Sequence, residues 1–374
     1  MQSEVLLVIE IEGTYNSAIV YADAIDSGAE GLIKAFCNSP VSDGGKIRIM
    51  PDVHAGKGCV VGTTMTITDK IAPGLIGVDI GCGMSAVKVT GKRIEMQKLD
   101  KLIREKIPAG RSIRSSAHRF AENIDLGHLY CSRHIQMDKA YRSVGTLGGG
   151  NHFIEIDRGE DGAIWLVIHS GSRRLGAEVA SYYHDAAFKT GIGDVPYELA
   201  YATGDLMNAY LHDLVIAQEY ARLNRQAMID EICKGMKLSV VDSFECIHNY
   251  YDADEMILRK GAISARAGEM VIIPMNMRDG CIIGYGKGNT NWNYSAPHGA
   301  GRLLSRQEAR SAFTLSQYKK EMQGIYSSSV SRETLDESPM AYKPMETILS
   351  KIGETVEITE RITPVYNYKA GDEV

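Results

Sequence analysis

The chain has 374 residues, is 44% hydrophobic and 24% charged, and carries a formal net charge of -6. That length allows one to three domains around a large core. The charge argues against bulk attraction to nucleic acid, so an RNA or DNA contact needs a local basic surface. Seven scattered cysteines without a CxxC pair argue against a zinc ribbon or disulfide scaffold and point to a reducing, cytosolic setting.

Residues 1–13 carry acids where a signal peptide would be apolar, and they read as a first strand. No apolar run approaches membrane-spanning length, so no membrane partner is expected. Residues 46–50, 58–66 and 84–89 are strand expectations separated by Gly and Pro. Residues 94–125 read as helical and basic, and 164–168 as a short buried strand. Helices are expected over 177–190 and 205–236. In the second, Leu206, Tyr210, Leu214, Ala217 and Ala221 keep one face apolar, and His212 and Asp213 are expected at the surface. Strands return at 256–258, 270–273 and 281–284, and a β-leaning tail ends at 365–369. This mixed order predicts an α+β class: one domain over 1–374 with a helical insertion at about 177–236.

The most informative segment is Ser295-Ala-Pro-His-Gly-Ala-Gly-Arg302. Residues 303–313 read as a helix, so His298 is expected just before a helix N-terminus. There, free N–H groups and the macrodipole favour an anion and disfavour imidazolium. A neutral imidazole beside a phosphate suits a nucleophile. Asp79-Ile-Gly-Cys82 sets a carboxylate and a thiol in a glycine-rich loop, and His152, His169 and His248 occur in separate contexts. One Asp, one Cys and three His would supply two metal sites if the thiolate bridges the ions. Their long separation leaves convergence open. No Walker A sequence is present, and Gly284-Tyr-Gly-Lys-Gly288 lacks the full dinucleotide fingerprint.

Taken together, the segments resemble the RtcB family of RNA ligases. The matching pieces are Met50-Pro-Asp-Val-His54, Gly77-Val-Asp-Ile-Gly-Cys-Gly83, Gly148-Gly-Gly-Asn-His-Phe-Ile-Glu155, His169-Ser-Gly-Ser-Arg173, His248-Asn249, Arg259-Lys-Gly-Ala262, Ser295 to Arg302 and Ala341-Tyr-Lys343. The resemblance implies a GTP- and Mn²⁺-dependent enzyme that joins RNA 3′-phosphate or 2′,3′-cyclic phosphate ends to 5′-hydroxyl ends. It implies that His298 takes GMP and that Asp52 is an acid/base residue. It implies two Mn²⁺ ions on Asp79, Cys82, His152, His169 and His248, with Cys82 the bridge. Asn151 would contact phosphate, and Glu155, Tyr342 and Lys369 would form the guanine pocket. Asn276, Ala300 and Gly301 would be further nucleotide contacts. Asn276 stands in a stretch, Pro274 to Cys281, that departs from the family's Pro-Gly-Ser-Met loop.

RNA is expected on a local basic surface: Arg173 and Arg302, with Arg306 and Arg310 at i+4 and i+8 from Arg302, and Arg111, Arg114 and Arg119. Two other readings use the same residues. A binuclear metal phosphoesterase would need the Asp/Cys/His set but no nucleotide on His298. A non-catalytic RNA- or ribosome-binding protein would need neither. An activating or release-factor-like partner protein is left open.

Overall fold

The computed structural model describes residues 8–91 and 93–370. Two antiparallel-dominated sheets organise the chain. A six-stranded sheet runs in the order Ile9–Glu12, Ser17–Val20, Ile47–His54, Val61–Thr66, Ile257–Lys260, Asn249–Asp252. A seven-stranded sheet runs Leu238–Ile247, Gly83–Gly91, Ile164–Ser170, Phe153–Arg158, Val356–Lys369, Gly280–Gly286, Met270–Asn276. Together with the helices this is a mixed α+β single domain, as expected. Within the two large sheets, among the described residues, only Ser17–Val20 and Ile47–His54 pair in parallel.

Alternation explains the strands. In Phe153–Arg158, Phe153 packs into one apolar cluster with Trp165 and Val167, while Ile154 and Ile156 enter another with Leu166 and Ile168. Both faces are therefore buried. The helix Gly204–Met236 spans two clusters in turn: Tyr210, Leu214 and Ala217 enter the core near the first sheet, and Met228 and Ile232 enter a core on the second. It ends where Lys237 adopts a left-handed conformation.

Several expectations need correction. Of the first strand, residues 1–7 lie outside the described residues, and Ile9–Glu12 is extended. The basic segment is helical only over Met96–Lys106; Pro108 forces Ile107 into an extended conformation, and short 3-10 turns follow. The helix expected from 177 begins at Arg173. The helix Ser27–Cys37, capped by Asp26, was not anticipated. Asp213 is fully buried and not at the surface. Its carboxylate accepts from the Tyr130 and Cys131 amides at 3.0 and 3.1 Å and from the Tyr183 hydroxyl at 2.7 Å. Those donors come from distant segments, so helical periodicity gave no sign of them.

Arg225 ties the long helix to the second sheet. It is fully buried, and its Nη1 donates to the Gly81 and Ser170 carbonyls at 2.8 Å each. Its Nε donates to Ser85 Oγ at 3.2 Å. Gly81 needs its φ of +69°, and a Cβ there would lie 2.9 Å from Gln218 Cα on the same helix. Arg225→Met should cost about 2–4 kcal/mol, because it leaves two buried carbonyls without donors. Urea unfolding of both proteins measures this; a loss within about 0.5 kcal/mol would contradict it.

Candidate active site

The seven-stranded sheet places chemistry along one rim. His248 follows the C-terminal end of Leu238–Ile247, and Cys82 precedes Gly83–Gly91. His169 lies near the end of Ile164–Ser170, and His152 precedes Phe153–Arg158. These four strands are consecutive neighbours and alternate in direction. Each ligand-type residue therefore reaches the same end of the sheet. Lys369 closes the next strand, in register with Phe153.

The side chains converge. Cys82 Sγ is 3.3 Å from both His152 Nε2 and His169 Nε2. His152 Nε2 lies 2.9 Å from Asp79 Oδ2, and His169 Nε2 lies 3.3 Å from His248 Nε2. The outer nitrogens are fixed: His152 Nδ1 donates to the Leu147 carbonyl at 2.9 Å and His169 Nδ1 to the Asn151 carbonyl at 3.1 Å. Those bonds turn each Nε2 lone pair toward Cys82. A lone pair then faces a carboxylate oxygen across 2.9 Å, an acceptor–acceptor contact that a cation relieves.

Electrostatics agree with that fit. Burial, then neighbouring imidazoles, pushes the proton affinities of His169 and His248 well below the histidine range. Burial and Asp79 push the Cys82 thiol up. Burial alone would raise Asp79, but His152, where its Nε2 carries a proton in place of a metal, and Arg173 outweigh it and hold the carboxyl well below its usual range. Neutral imidazoles are ready donors, and a thiolate–imidazole–carboxylate set suits a first-row divalent metal better than Mg²⁺ or Ca²⁺. Asp79, Cys82 and His152 can hold one ion, and Cys82, His169 and His248 a second, with the thiolate shared.

His298 stands against this cluster, its ring centroid 4.8 Å from that of His248. The expected helix N-terminus is not beside it. The helix runs Arg306–Ala312 and is capped by Ser305, so six residues separate His298 from its N-cap. The reason is local: Gly301 takes a φ of +74° to pass 2.5 Å (for an added Cβ) from the Asp52 carbonyl, and Ser305 with Glu308 forms a capping box. Asp52 replaces the helix as the orienting group. Its fully buried Oδ2 accepts from His298 Nδ1 at 2.7 Å and from the His298 amide at 3.1 Å. The Nε2 lone pair is left for chemistry.

The cleft above has a volume of about 720 Å³, within the range of small-molecule sites. Asn151, Glu155, Asn276, Ala300, Gly301, Tyr342, Lys369 and Arg302 all line it, with His169, His248 and His298. The Asn276 side chain is largely used by its own turn: Oδ1 accepts from the Arg278 and Asp279 amides, and Nδ2 donates to Asp279. Arg173 lies behind the cluster, with Nη1 3.5 Å from His152 Nδ1. Arg114 and Arg119 face Glu231 and Asp230 on the long helix. Sequence reading missed His54, Phe153 and the acidic pair Asp336 and Glu337, which sit around the same cleft. His54 was within a matched motif; the acidic pair had no pattern to betray it.

Comparison with known proteins fits this architecture. A buried Cys/His/Asp cluster facing a carboxylate-held histidine defines a metal-dependent class of site. The family model described as tRNA-splicing ligase RtcB matches residues 40–370. The RNA-splicing ligase RtcB of Escherichia coli (strain K12) is 31% identical over 356 residues, covering 83% of this chain and 87% of that protein. The tRNA-splicing ligases RtcB of Aeropyrum pernix and Nanoarchaeum equitans are 27% and 26% identical, covering 80% and 85% of this chain and 82% and 86% of theirs. The chain belongs to the RtcB family.

Behind Glu155 lie Asp157 and Cys281, all three buried with ligand atoms within 4.8 Å of one another. Glu155 accepts from Asn367 Nδ2, whereas neither oxygen of Asp157 has a partner. Burial, then Glu155, pushes Asp157 far above the carboxylate range. The folded state thus holds that proton, and stability is lost as pH rises above the ordinary carboxylate value. Asp157→Val should stabilise the protein by about 1–3 kcal/mol at pH 8 and by less at pH 5. Thermal melts at both pH values decide this; a gain larger at pH 5 would reverse the sign.

Proposed function

We propose that this protein is a GTP- and Mn²⁺-dependent RNA ligase that joins 3′-phosphate or 2′,3′-cyclic phosphate ends to 5′-hydroxyl ends. The observation that carries the reading is His298, held at Nδ1 by Asp52 and set against the buried cluster of Asp79, Cys82, His152, His169 and His248 at the floor of one cleft. A phosphoesterase needs no such oriented imidazole; a binding protein needs neither feature. The family names of the relatives support the same reading.

Bound Mn²⁺ would neutralise phosphate charge and hold attacking and leaving oxygens in line. The chain's own groups do the rest. His298 Nε2 attacks the α-phosphorus of GTP and pyrophosphate leaves. As the ring becomes cationic, Nδ1–H donates to the buried Asp52 carboxylate, which stabilises it. An oxygen of the RNA 3′-phosphate then attacks the histidine-bound phosphorus, and the imidazole leaves. The 5′-hydroxyl attacks the activated 3′-phosphate and GMP departs, leaving a phosphodiester. A cyclic phosphate must first be opened by water. Glu155 accepts from guanine N1–H and N2–H, Lys369 meets O6, and Tyr342 stacks on the base. Asn151 binds phosphate and Arg302 holds the RNA backbone, whereas Arg173, behind the cluster, supports His152. The site of action is the cytosol, in RNA repair or tRNA splicing.

GTP labelled at the α-phosphate should leave acid-labile label on the wild type with Mn²⁺ and none on His298→Ala. Label on the variant would move the nucleophile elsewhere; phosphate release from RNA without label would favour the phosphoesterase. Cys82→Ser should lower Mn²⁺ affinity on the order of tenfold or more, measured by equilibrium dialysis. Among RNA substrates, only 3′-phosphate or cyclic-phosphate ends paired with 5′-hydroxyl ends should be joined in a gel assay. Joining of 3′-hydroxyl to 5′-phosphate ends alone would place the protein in another ligase class.

A further inference from the structure

The cleft wall near Lys369 contains a carboxylate that belongs to none of the matched motifs. Glu337 lies on the single turn Leu335–Glu337, and its side chain is 3% exposed. Oε2 accepts from Lys369 Nζ and from Tyr342 Oη, each at 2.6 Å. Oε1 faces Arg306 Nη1 at 2.7 Å and Arg302 Nη1 at 3.3 Å. The neighbouring Asp336 receives Arg306 and Arg310 through its carboxylate, and Arg302 Nη2 through its carbonyl at 2.6 Å. Four cleft-side groups thus converge on one buried side chain. Burial would raise its proton affinity, but Lys369 and Arg306 outweigh burial and hold the carboxyl at about 2.

We infer that Glu337 is a positioning residue for base recognition: its carboxylate fixes the Tyr342 ring, the Lys369 ammonium and the Arg302 and Arg306 guanidiniums relative to one another. This rests on the nucleotide reading above. A carboxylate in contact with a polyphosphate would repel it, so its place behind the cations suits orientation and not contact. The Tyr342 hydroxyl hydrogen is committed to Glu337, so Tyr342 offers a ring and not a donor to a ligand. Arg302 covers one face of that ring, its guanidinium carbon 5.2 Å from the centroid, which leaves the other face for a base. Lys369 spends one N–H on Glu337 and stands 5.5 Å from the Phe153 ring centroid, with two N–H groups left for an acceptor such as purine O6. Ring and ammonium then read stacking and O6 from a fixed frame, which a mobile lysine would not provide.

The test is Glu337→Gln, which keeps the shape and removes the charge. In self-labelling with GTP and Mn²⁺, KM for GTP should rise about tenfold or more while the maximal rate changes little, since His298 and the Cys82 cluster are untouched. The preference for GTP over ATP should fall together with it, and Glu337→Asp should restore part of both. A folded Glu337→Gln protein with unchanged KM and unchanged preference overturns the inference, as does a loss confined to the maximal rate. Should Glu337→Gln not fold, Tyr342→Phe, which removes one of the bonds to Glu337, should raise KM several-fold; an unchanged KM overturns the inference. If the wild type takes no label from any nucleotide, the nucleotide reading fails separately. The positioning of Lys369 is then read by amine-reagent footprinting and mass spectrometry. Modification should be slow in the wild type and at least several-fold faster in Glu337→Gln or Tyr342→Phe; equal rates refute it.

Discussion

The antiparallel register of the seven-stranded sheet is the constraint on which the site depends. Backbone hydrogen bonds leave little freedom: once Met84 is opposite His169, and His169 opposite Phe153, the ends of three strands are set within one side chain's reach. Cys82 and His248, 166 positions apart in the chain, then meet without a designed loop for each. A one-residue slip would turn His169 to the other face and dismantle the cluster. Burial of both faces of the central strands makes such a slip expensive.

The six-stranded sheet, which carries Asp52, supplies what the seven-stranded sheet cannot. Asp52 and the segment ending in His298 come from the opposite side of the cleft, and their hydrogen bond sets a histidine against the cluster. The two sides have different electrostatic tasks. The Cys82 side gathers lone pairs in a buried volume and so calls for a cation. The Asp52 side sets a buried carboxylate against the His298 ring and fixes its orientation. The far wall, around Glu337, balances buried carboxylates against Arg and Lys before any ligand arrives.

Much of this was legible in the sequence. The motif residues from Asp52 to Lys369 nearly all line one cleft or its floor, and the order of elements gave the α+β class. What was lost was whatever rested on non-local partners. The helix near His298 starts later than its sequence suggests because a polar capping box at Ser305, the third residue of the stretch 303–313, decides its start. Asp213 looked solvated because its donors lie some 30 to 83 residues away. Glu337 sits in a stretch with no periodicity, and only its convergence with Arg302, Tyr342 and Lys369 marks it. Side chains that serve by holding others have no composition of their own.

A sheet with all its chemistry on one rim has an idle rim as well. The strands Phe153–Arg158 and Ile164–Ser170 turn back at that opposite end through a tight loop in which Gly159 donates to the Ala163 carbonyl at 2.9 Å and Glu160 and Asp161 are exposed. A Cβ at Gly162 would touch nothing. The loop touches neither the Cys82 cluster nor the wall of the cleft, so length there is nearly neutral. Evolution, or an engineer, can lengthen the chain at this hairpin or graft a whole module into it, and acquire a new recruitment function without retuning the machinery at the other end.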